Sequence, residues 1–513
     1  MRKNIYKWHR TLSLIIAIPV FLWAASGFMH PVMTNIRPKV GTQVLQPTAI
    51  DTSVMQVTLL EALQKNNIAS IANVRIVQMG GNQFYQLQLP GKPVLQYIST
   101  QNGRLLKNGD DLYARYLAKK FLSGEAKPAP LLASLDRHAL RMEQPAAEHD
   151  CCTSTAAAIM FDTSGAFVSN VELTEAFTGE YKYINRLLPV YKVSFNRADG
   201  IRIYVETGQD RFAFAMDNKR AVFDRIFTLF HTLGWLDVLG DGKHVVAIAL
   251  TAMAFITTLL GIYIFCITKT KKANGNEIVK ARRNHRWTSL IISLFTLMFT
   301  GSGAFHAFKK LSPTDEVYFN KQVFASPEIQ LDMRRLQQAV PGIITNISLV
   351  KMGAAVYWQV YNQSLPSSPV YLHTGTYTEI KNGDVVYAQD LAGMYSHHLT
   401  AAIKNTERIA KFTQEYGFVN KRLPVWKINY DSNAHERFYI ETSTGKVAAH
   451  INDNDMLEGY SFAMFHKHEF MALAGKPVKD FSTMFWAMAQ IAGVVVGLIL
   501  YFKIKRRERK STV

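Results

Sequence analysis

Residues 8–30 read WHRTLSLIIAIPVFLWAASGFMH, and residues 284–306 read NHRWTSLIISLFTLMFTGSGAFH. Each stretch opens on a His-Arg step (His9-Arg10, His285-Arg286), runs through an apolar segment, and closes on Ser-Gly followed by a second histidine, His30 or His306. As a helix rising about 1.5 Å per residue, either stretch sets its two histidines about 31 Å apart, close to the thickness of a bilayer's hydrocarbon core. A simple membrane anchor has no use for a titratable imidazole at both ends of its span. A transmembrane electron carrier that holds haem through histidine does.

Four segments are apolar and long enough to cross a membrane: about 11–30, 244–267, 286–306 and 481–502. They divide the chain into a cytoplasmic N-terminus with the first span (1–30), a first outer domain (31–230) and a histidine-bearing segment with the second span (231–267). A basic loop (268–285), a third span (286–306) and a second outer domain (307–465) follow. A histidine-bearing segment with the fourth span (466–502) and a basic tail (503–513) complete the chain. The formal charge of +19 is not spread as a nucleic-acid-binding surface would be. Most of it sits in three short segments: Arg2, Lys3, Lys7 and Arg10; seven Lys and Arg between Lys269 and Arg286; and six between Lys503 and Lys510. Four crossings put all three on one side, and the excess of Lys and Arg predicts that this side is cytoplasmic, with both large domains outside. Residues 1–26 also fit a signal peptide, but the same pattern recurs internally at 285–306, so the first copy is expected to be retained. Three cysteines, one at the inner end of the second span (Cys266) and two adjacent (Cys151, Cys152), exclude a disulfide framework.

The outer domains match as well. NVRIVQMG (73–80), KNGDDLYARYLA (107–118), YKYINRLLPVYKV (181–193) and YVETGQ (204–209) are answered in order by NISLVKMG (346–353), KNGDVVYAQDLA (381–392), YGFVNKRLPVWKI (416–428) and YIETST (439–444). The chain therefore carries an internal two-fold repeat, with an insertion at about 119–180 in the first copy; its Lys127-Pro128-Ala129-Pro130 and Ala-rich runs read as a loop. Alternating stretches such as IRIYVET and RFYIETSTGKVAAHI predict half-buried strands, preceded by helices near Val57–Lys65 and Asp332–Ala339. The expected fold is four transmembrane helices plus α+β outer domains, each half holding two small antiparallel sheets with packed helices.

Six of the fifteen histidines stand at matched positions near the span ends: His9, His30, His231, His285, His306 and His466. A single interfacial histidine can serve only to cap a helix or to touch headgroups. Three per half point to ligation, because imidazoles from facing helices are a common way to hold haem iron. By topology His30, His306, His231 and His466 lie at the outer edge. They can hold two six-coordinate haems, either within halves (His30 with His231, His306 with His466) or across the pseudo-two-fold axis. His9 and His285 lie at the inner edge, where they either hold a further haem or serve as headgroup anchors. No CxxCH occurs, so any haem is b-type. His468, His244, the His397-His398 pair and the His149/Cys151/Cys152 group are weaker candidates, and no nucleotide or flavin motif is present.

The His-Arg steps, the Ser-Gly span ends, the Phe-His dipeptides at His231 and His466, and the LPV…(V/I)ET modules resemble the PepSY-associated transmembrane family over essentially the whole chain. That resemblance implies a bacterial inner-membrane protein with four helices and periplasmic PepSY-like domains, of a family that includes haem-bearing ferric-siderophore reductases. With no flavin-reductase domain in the chain, it also implies that electrons come from membrane quinol or a separate reductase. The leading expectation is a b-type haem oxidoreductase, with two haem b groups, that passes electrons outward to a ferric siderophore or other ferric chelate in iron acquisition. One electron loosens iron because oxygen-donor chelators hold Fe(III) far better than Fe(II). The rival is a PepSY-type membrane protein that binds or regulates a periplasmic partner without redox activity. A metal transporter is disfavoured by the absence of Asp and Glu at mid-depth in the spans.

Overall fold

The computed structural model describes residues 2–124, 166–311, 322–326, 329–396 and 399–511. His149, Cys151, Cys152, the His397-His398 pair and most of the 119–180 insertion lie outside the described residues. The helices in chain order are α1 (Arg2–Asn35), α2 (Leu59–Lys65), α3 (Gly109–Ser123), α4 (Asn218–Phe230), α5 (Gly242–Ile267), α6 (Glu277–Lys309), α7 (Met333–Ala339), α8 (Gly383–Tyr395), α9 (Asp453–Ser461) and α10 (Lys476–Ser511). The chain folds into two compact units. One joins residues 1–37, 219–315 and 454–513, and the other joins 38–218 and 316–453.

The first unit is a four-helix bundle. The helices α1, α5, α6 and α10 are each long and apolar enough to cross a membrane. They pack in a ring in which α1 touches α5 and α10, and α6 touches α5 and α10. The seams use small or hydroxyl side chains (Ala24, Ser26, Thr251, Ala254, Thr257, Ser293, Thr300, Ser302), which let the helices approach closely. Their hydroxyls are satisfied by carbonyls one turn back, as in Thr251 Oγ1 to Ala247 O at 2.7 Å and Thr300 Oγ1 to Thr296 O at 2.7 Å. Outward faces expose Ile18, Ile291, Leu294, Phe481 and Phe502, a surface compatible with lipid contact. The helices outrun the apolar segments because their basic ends keep good helix formers. The start of α6 is capped by Asn276 Oδ1, which accepts from the Ile278 and Val279 amides.

The second unit holds the sheets. Strands β1 (Ser70–Ile71), β2 (Asn73–Met79), β3 (Asn82–Gln88), β4 (Gln96–Ser99), β5 (Val168–Thr174), β6 (Val190–Phe195), β7 (Arg202–Glu206) and β8 (Arg211–Met216) come from the first half of the chain. The second half supplies β9 (Phe324–Ala325), β10 (Ile344–Met352), β11 (Ala355–Asn362), β12 (Val370–His373), β13 (Ile403–Ile409), β14 (Val425–Tyr430), β15 (Arg437–Glu441) and β16 (Lys446–Ile451). β2-β3-β4 and β10-β11-β12 form three-stranded sheets, β5-β6-β7-β8 and β13-β14-β15-β16 form four-stranded sheets, and β1 pairs with β9 across the halves. All pairings are antiparallel. A core built around Leu59, Leu63, Tyr85, Leu336 and Trp358 draws on both three-stranded sheets together with α2 and α7. The helices α3 and α8 cover the four-stranded sheets.

The KNGD motifs are structural. Asn108 and Asn382 adopt φ of 54° and 55° ahead of α3 and α8, and a Cβ on Gly109 or Gly383 would collide with Tyr97 or Tyr371. Asp110, sealed in the core, accepts from Tyr97 Oη (2.9 Å), Tyr191 Oη (3.0 Å) and the Leu95 amide (2.9 Å). Asp384 does the same for Tyr371 Oη (2.7 Å) and Trp426 Nε1 (2.6 Å). These carboxylates are consumed by aromatic donors and hold helix to sheet.

Candidate functional site

The bundle gathers four of the six matched histidines as two facing pairs, with one further imidazole, His468, along its interior. At the end that carries both chain termini, His9 of α1 faces His285 of α6, with ring centres 6.5 Å apart and planes inclined at 41°. Toward the other end, His231, one residue past α4, faces His466, the last residue of a π-helical turn (Phe462–His466), with ring centres 6.0 Å apart and planes at 78°. A turn of this kind is common where a side chain must be re-aimed. His231 packs beside Gly27, which is 18 positions along α1 from His9. The two pairs are therefore about 27 Å apart along the bundle.

Each paired ring is held by its Nδ1. His9 Nδ1 donates to Thr257 O of α5 at 3.1 Å. His231 Nδ1 meets Ser26 Oγ at 3.1 Å, and His466 Nδ1 meets Ser302 Oγ at 3.3 Å. Both serine hydroxyls already donate to their own helix, to Leu22 O (2.7 Å) and Met298 O (2.6 Å). Their oxygens must therefore accept, which puts the proton on Nδ1 of His231 and His466 and leaves Nε2 with a lone pair. His285 Nδ1 lies 3.3 Å from Ser289 Oγ, one turn along its own helix. Fixing one ring nitrogen to orient the other toward a metal is the usual supporting arrangement for a ligating histidine.

The neighbouring backbone leaves room for these rings and little more. A Cβ placed on Gly261 would stand 3.2 Å from His9 Cε1, and one on Gly497 3.4 Å from His285 Cε1. At Gly27 and Gly303 the corresponding distances are 3.7 Å to His231 and 3.8 Å to His466. All four histidines are half-buried.

The ring-centre separations match what two imidazoles would need to hold one haem iron between them. Two imidazoles on opposite sides of one six-coordinate iron hold their ring centres about 6 Å apart, from about 2 Å of metal–nitrogen bond and about 1 Å to the ring centre on each side. Either angle between the ring planes suits such a pair, since each ring turns about its own metal–nitrogen bond. Among the described residues no group of three or more His, Cys, Asp or Glu side chains is placed to hold a metal ion, so the histidines meet as pairs.

The remaining two matched histidines stand one aromatic ring away. Phe227 packs on both His30 (5.2 Å) and His231 (4.5 Å), and Phe462 packs on both His306 (4.3 Å) and His466 (4.7 Å). Of the two pairings open from the sequence at the outer edge, the structure brings together His231 and His466 across the halves. It does not bring His30 against His231, nor His306 against His466. His306 is instead engaged by Glu458 Oε1, 2.5 Å from its Nδ1. The sequence reading missed Thr257, Ser289, Gly261, Gly497, Phe227 and Phe462. Only Ser26-Gly27 and Ser302-Gly303 left a signal, as a doubled Ser-Gly three residues before a histidine.

The second unit carries a separate charged cluster. Glu441, buried at the end of β15, receives Arg422 at 2.6 Å and Arg211 at 2.5 Å. Burial alone would raise its pKa, but the two guanidiniums outweigh that and hold it well below the usual carboxylate range. Lys421, donating to Asn185 Oδ1 and Ala213 O, is lowered by burial to about 7. This arrangement braces the four-stranded sheets. No family model matches the chain, and no curated protein matches it at a significant level.

Proposed function

We propose that the chain is a b-type haem oxidoreductase of the bacterial inner membrane, with its termini cytoplasmic and its sheet domains periplasmic. In this reading the two halves are an internal repeat of PepSY-like type and the reaction is reduction of a periplasmic ferric chelate, a ferric siderophore in iron acquisition. The observation that carries it is the pair of cross-half histidine contacts, His9–His285 and His231–His466, at iron-bridging separation with their Nδ1 atoms engaged. Haem b, held by these two pairs, would supply one-electron Fe(III)/Fe(II) chemistry.

The residues do the rest. Thr257, Ser26 and Ser302 fix the Nδ1–H tautomer of three rings, so that Nε2 is presented as the ligand. Gly261 lets the α5 backbone close on the His9 imidazole. The apolar bundle excludes water, which limits reorganisation when charge moves. Because each pair would use both of its imidazoles on the group it holds, the ferric chelate would take its electron without binding to that group. The chelate gains one electron, and its oxygen donors lose most of their grip on the iron.

The direct test is stopped-flow mixing of dithionite-reduced protein with a ferric trihydroxamate. The expected result is reoxidation of the reduced absorption bands with release of Fe(II) to ferrozine, about one per electron stored. Protein that carries haem yet is not reoxidised by any ferric chelate would overturn the substrate assignment. Haem-free protein would leave the non-redox PepSY reading in its place.

A further inference from the structure

Two surface pockets stand apart from the histidine pairs, and their charged groups are in opposite states. The larger, about 460 Å³, lies on the second four-stranded sheet, and its lining includes Lys404, His435, Glu436 and Arg437. These groups already have protein partners. His435 and Arg437 meet Asp453 at 2.6 and 2.9 Å, Glu436 meets His450, and Lys404 lies 3.9 Å from Asp431. The smaller pocket, about 200 Å³, lies between the start of α6 and the end of α10 and is lined by Arg282 and Arg507. Neither of these guanidiniums has a hydrogen bond or ion pair among the described residues.

This second pocket comes from a difference between the halves. The helix α5 ends at Ile267, whose matched residue on α10 is Phe502. From Phe502, α10 runs on to Ser511, about 13 Å of further helix. Lys503 of that extension meets Glu277 of α6 at 2.8 Å. Ile278, Val279 and Ile504 line the pocket half-buried, whereas both arginines are exposed. Glu508 is the single acid in the lining, and it has a partner of its own.

Unpaired guanidiniums beside half-buried aliphatic side chains suit an amphiphile with an anionic head. Phosphate oxygens match the planar fork of arginine, and a glycerol backbone with its first acyl carbons covers the aliphatic lining. The depth agrees. Arg282 stands five residues from the exposed Trp287 and Arg507 five from the exposed Phe502, the rings that end the apolar segments of α6 and α10. Each arginine is therefore about 7.5 Å beyond the apolar segment of its own helix, and the headgroup layer on either face of a bilayer is about 5–8 Å deep.

We propose that this pocket binds the headgroup of one anionic phospholipid, with its phosphate taken by Arg282 and Arg507. The site rests on the bundle crossing a membrane and is independent of the redox reading. It gives the second half a lipid contact for which the shorter α5 leaves the first half no matching wall.

The test is native mass spectrometry of the full chain in detergent, titrated with phosphatidylglycerol and, separately, with phosphatidylethanolamine of the same acyl chains. The native chain should hold one phosphatidylglycerol about tenfold or more tightly than phosphatidylethanolamine. The Arg282→Gln/Arg507→Gln variant should lose that preference, each arginine contributing about fivefold. The Lys505→Gln/Arg506→Gln variant removes the same charge from residues outside the lining and should keep it. Equal loss in both double variants would assign the preference to the diffuse charge of the tail and overturn the site. A preference that survives in Arg282→Gln/Arg507→Gln, or none in the native chain, would overturn it as well. Displacement of the bound lipid by millimolar inorganic phosphate would make this a site for free phosphate and overturn the lipid assignment.

Discussion

The first and second halves of the bundle agree at the paired imidazoles and differ one turn away in either direction. His9 and His285 are matched, as are His231 and His466, and so are the Ser-Gly steps beside the latter pair. Beyond them the second half closes its mouth with ion pairs, His306–Glu458 (2.5 Å) and Lys309–Asp455 (2.9 Å). The first half places Phe223 and Arg220 where those acids stand and Met33 where Lys309 stands, with Arg220 donating to Met33 O. Deeper in, the second half has His468 and Gln490 where the first has Leu233 and Phe255. What is common to the halves needs both at once, because each pair takes one ring from each. What differs gives the bundle two unequal sides.

The largest effect should come from breaking one common pair. His466→Ala or His231→Ala should remove one haem per chain and leave the other, read as pyridine haemochrome per mole of protein. His30→Leu and His306→Leu should leave the count unchanged, because Phe227 and Phe462 separate them from the paired rings. Loss of haem in either of those variants would return the ligand set to pairing within halves.

The sheet unit offers a second contrast. Glu441 is locked between two guanidiniums, whereas its counterpart Glu206 has Arg211 at 3.7 Å. Glu441→Gln should cost about 3–5 kcal/mol in denaturant unfolding, since it strands buried guanidiniums, and Glu206→Gln should cost distinctly less. The folded pKa of Glu441 is depressed below its unfolded value of about 4.3, so its contribution is present above that pH and is lost as the pH falls through and below it. The acid-side fall in stability should therefore be shallower in Glu441→Gln.

Smaller effects should follow at the supporting groups. Ser302→Ala removes the Nδ1 partner of His466 and should weaken haem retention about 10–100-fold, read by transfer to apomyoglobin. Glu458→Gln breaks a partly exposed pair and should cost no more than about 1 kcal/mol, with haem content unaffected.

Much of this architecture was legible in the sequence, and the reasons are physical. A bilayer demands about twenty apolar residues per crossing, so the four spans stand out, and alternation of apolar residues marked the strands. The helix ends were less legible because backbone bonding continues through basic residues that hydropathy rejects. The inner histidines, His9 and His285, were legible as one of two alternatives, a pair, whereas the four outer ones were legible as positions with their pairing open. Spacing along one helix says nothing about which helix it faces, and the partner of His231 proved to be His466 from the other half. Phe227 and Phe462, which keep His30 and His306 at one remove, look like any other phenylalanine in an apolar run. Thr257 acts through its carbonyl, which no sequence pattern marks.

The most direct test of the account is the dithionite-reduced minus air-oxidised absorption spectrum of the detergent-purified chain, with haem quantified per chain in the native protein, in His466→Ala and in the His9→Ala/His466→Ala double variant. The account predicts a sharp b-type α-band with two haems, one haem and none, in that order. A flat difference spectrum from protein expressed with ample haem, or haem that persists in the double variant, would contradict it.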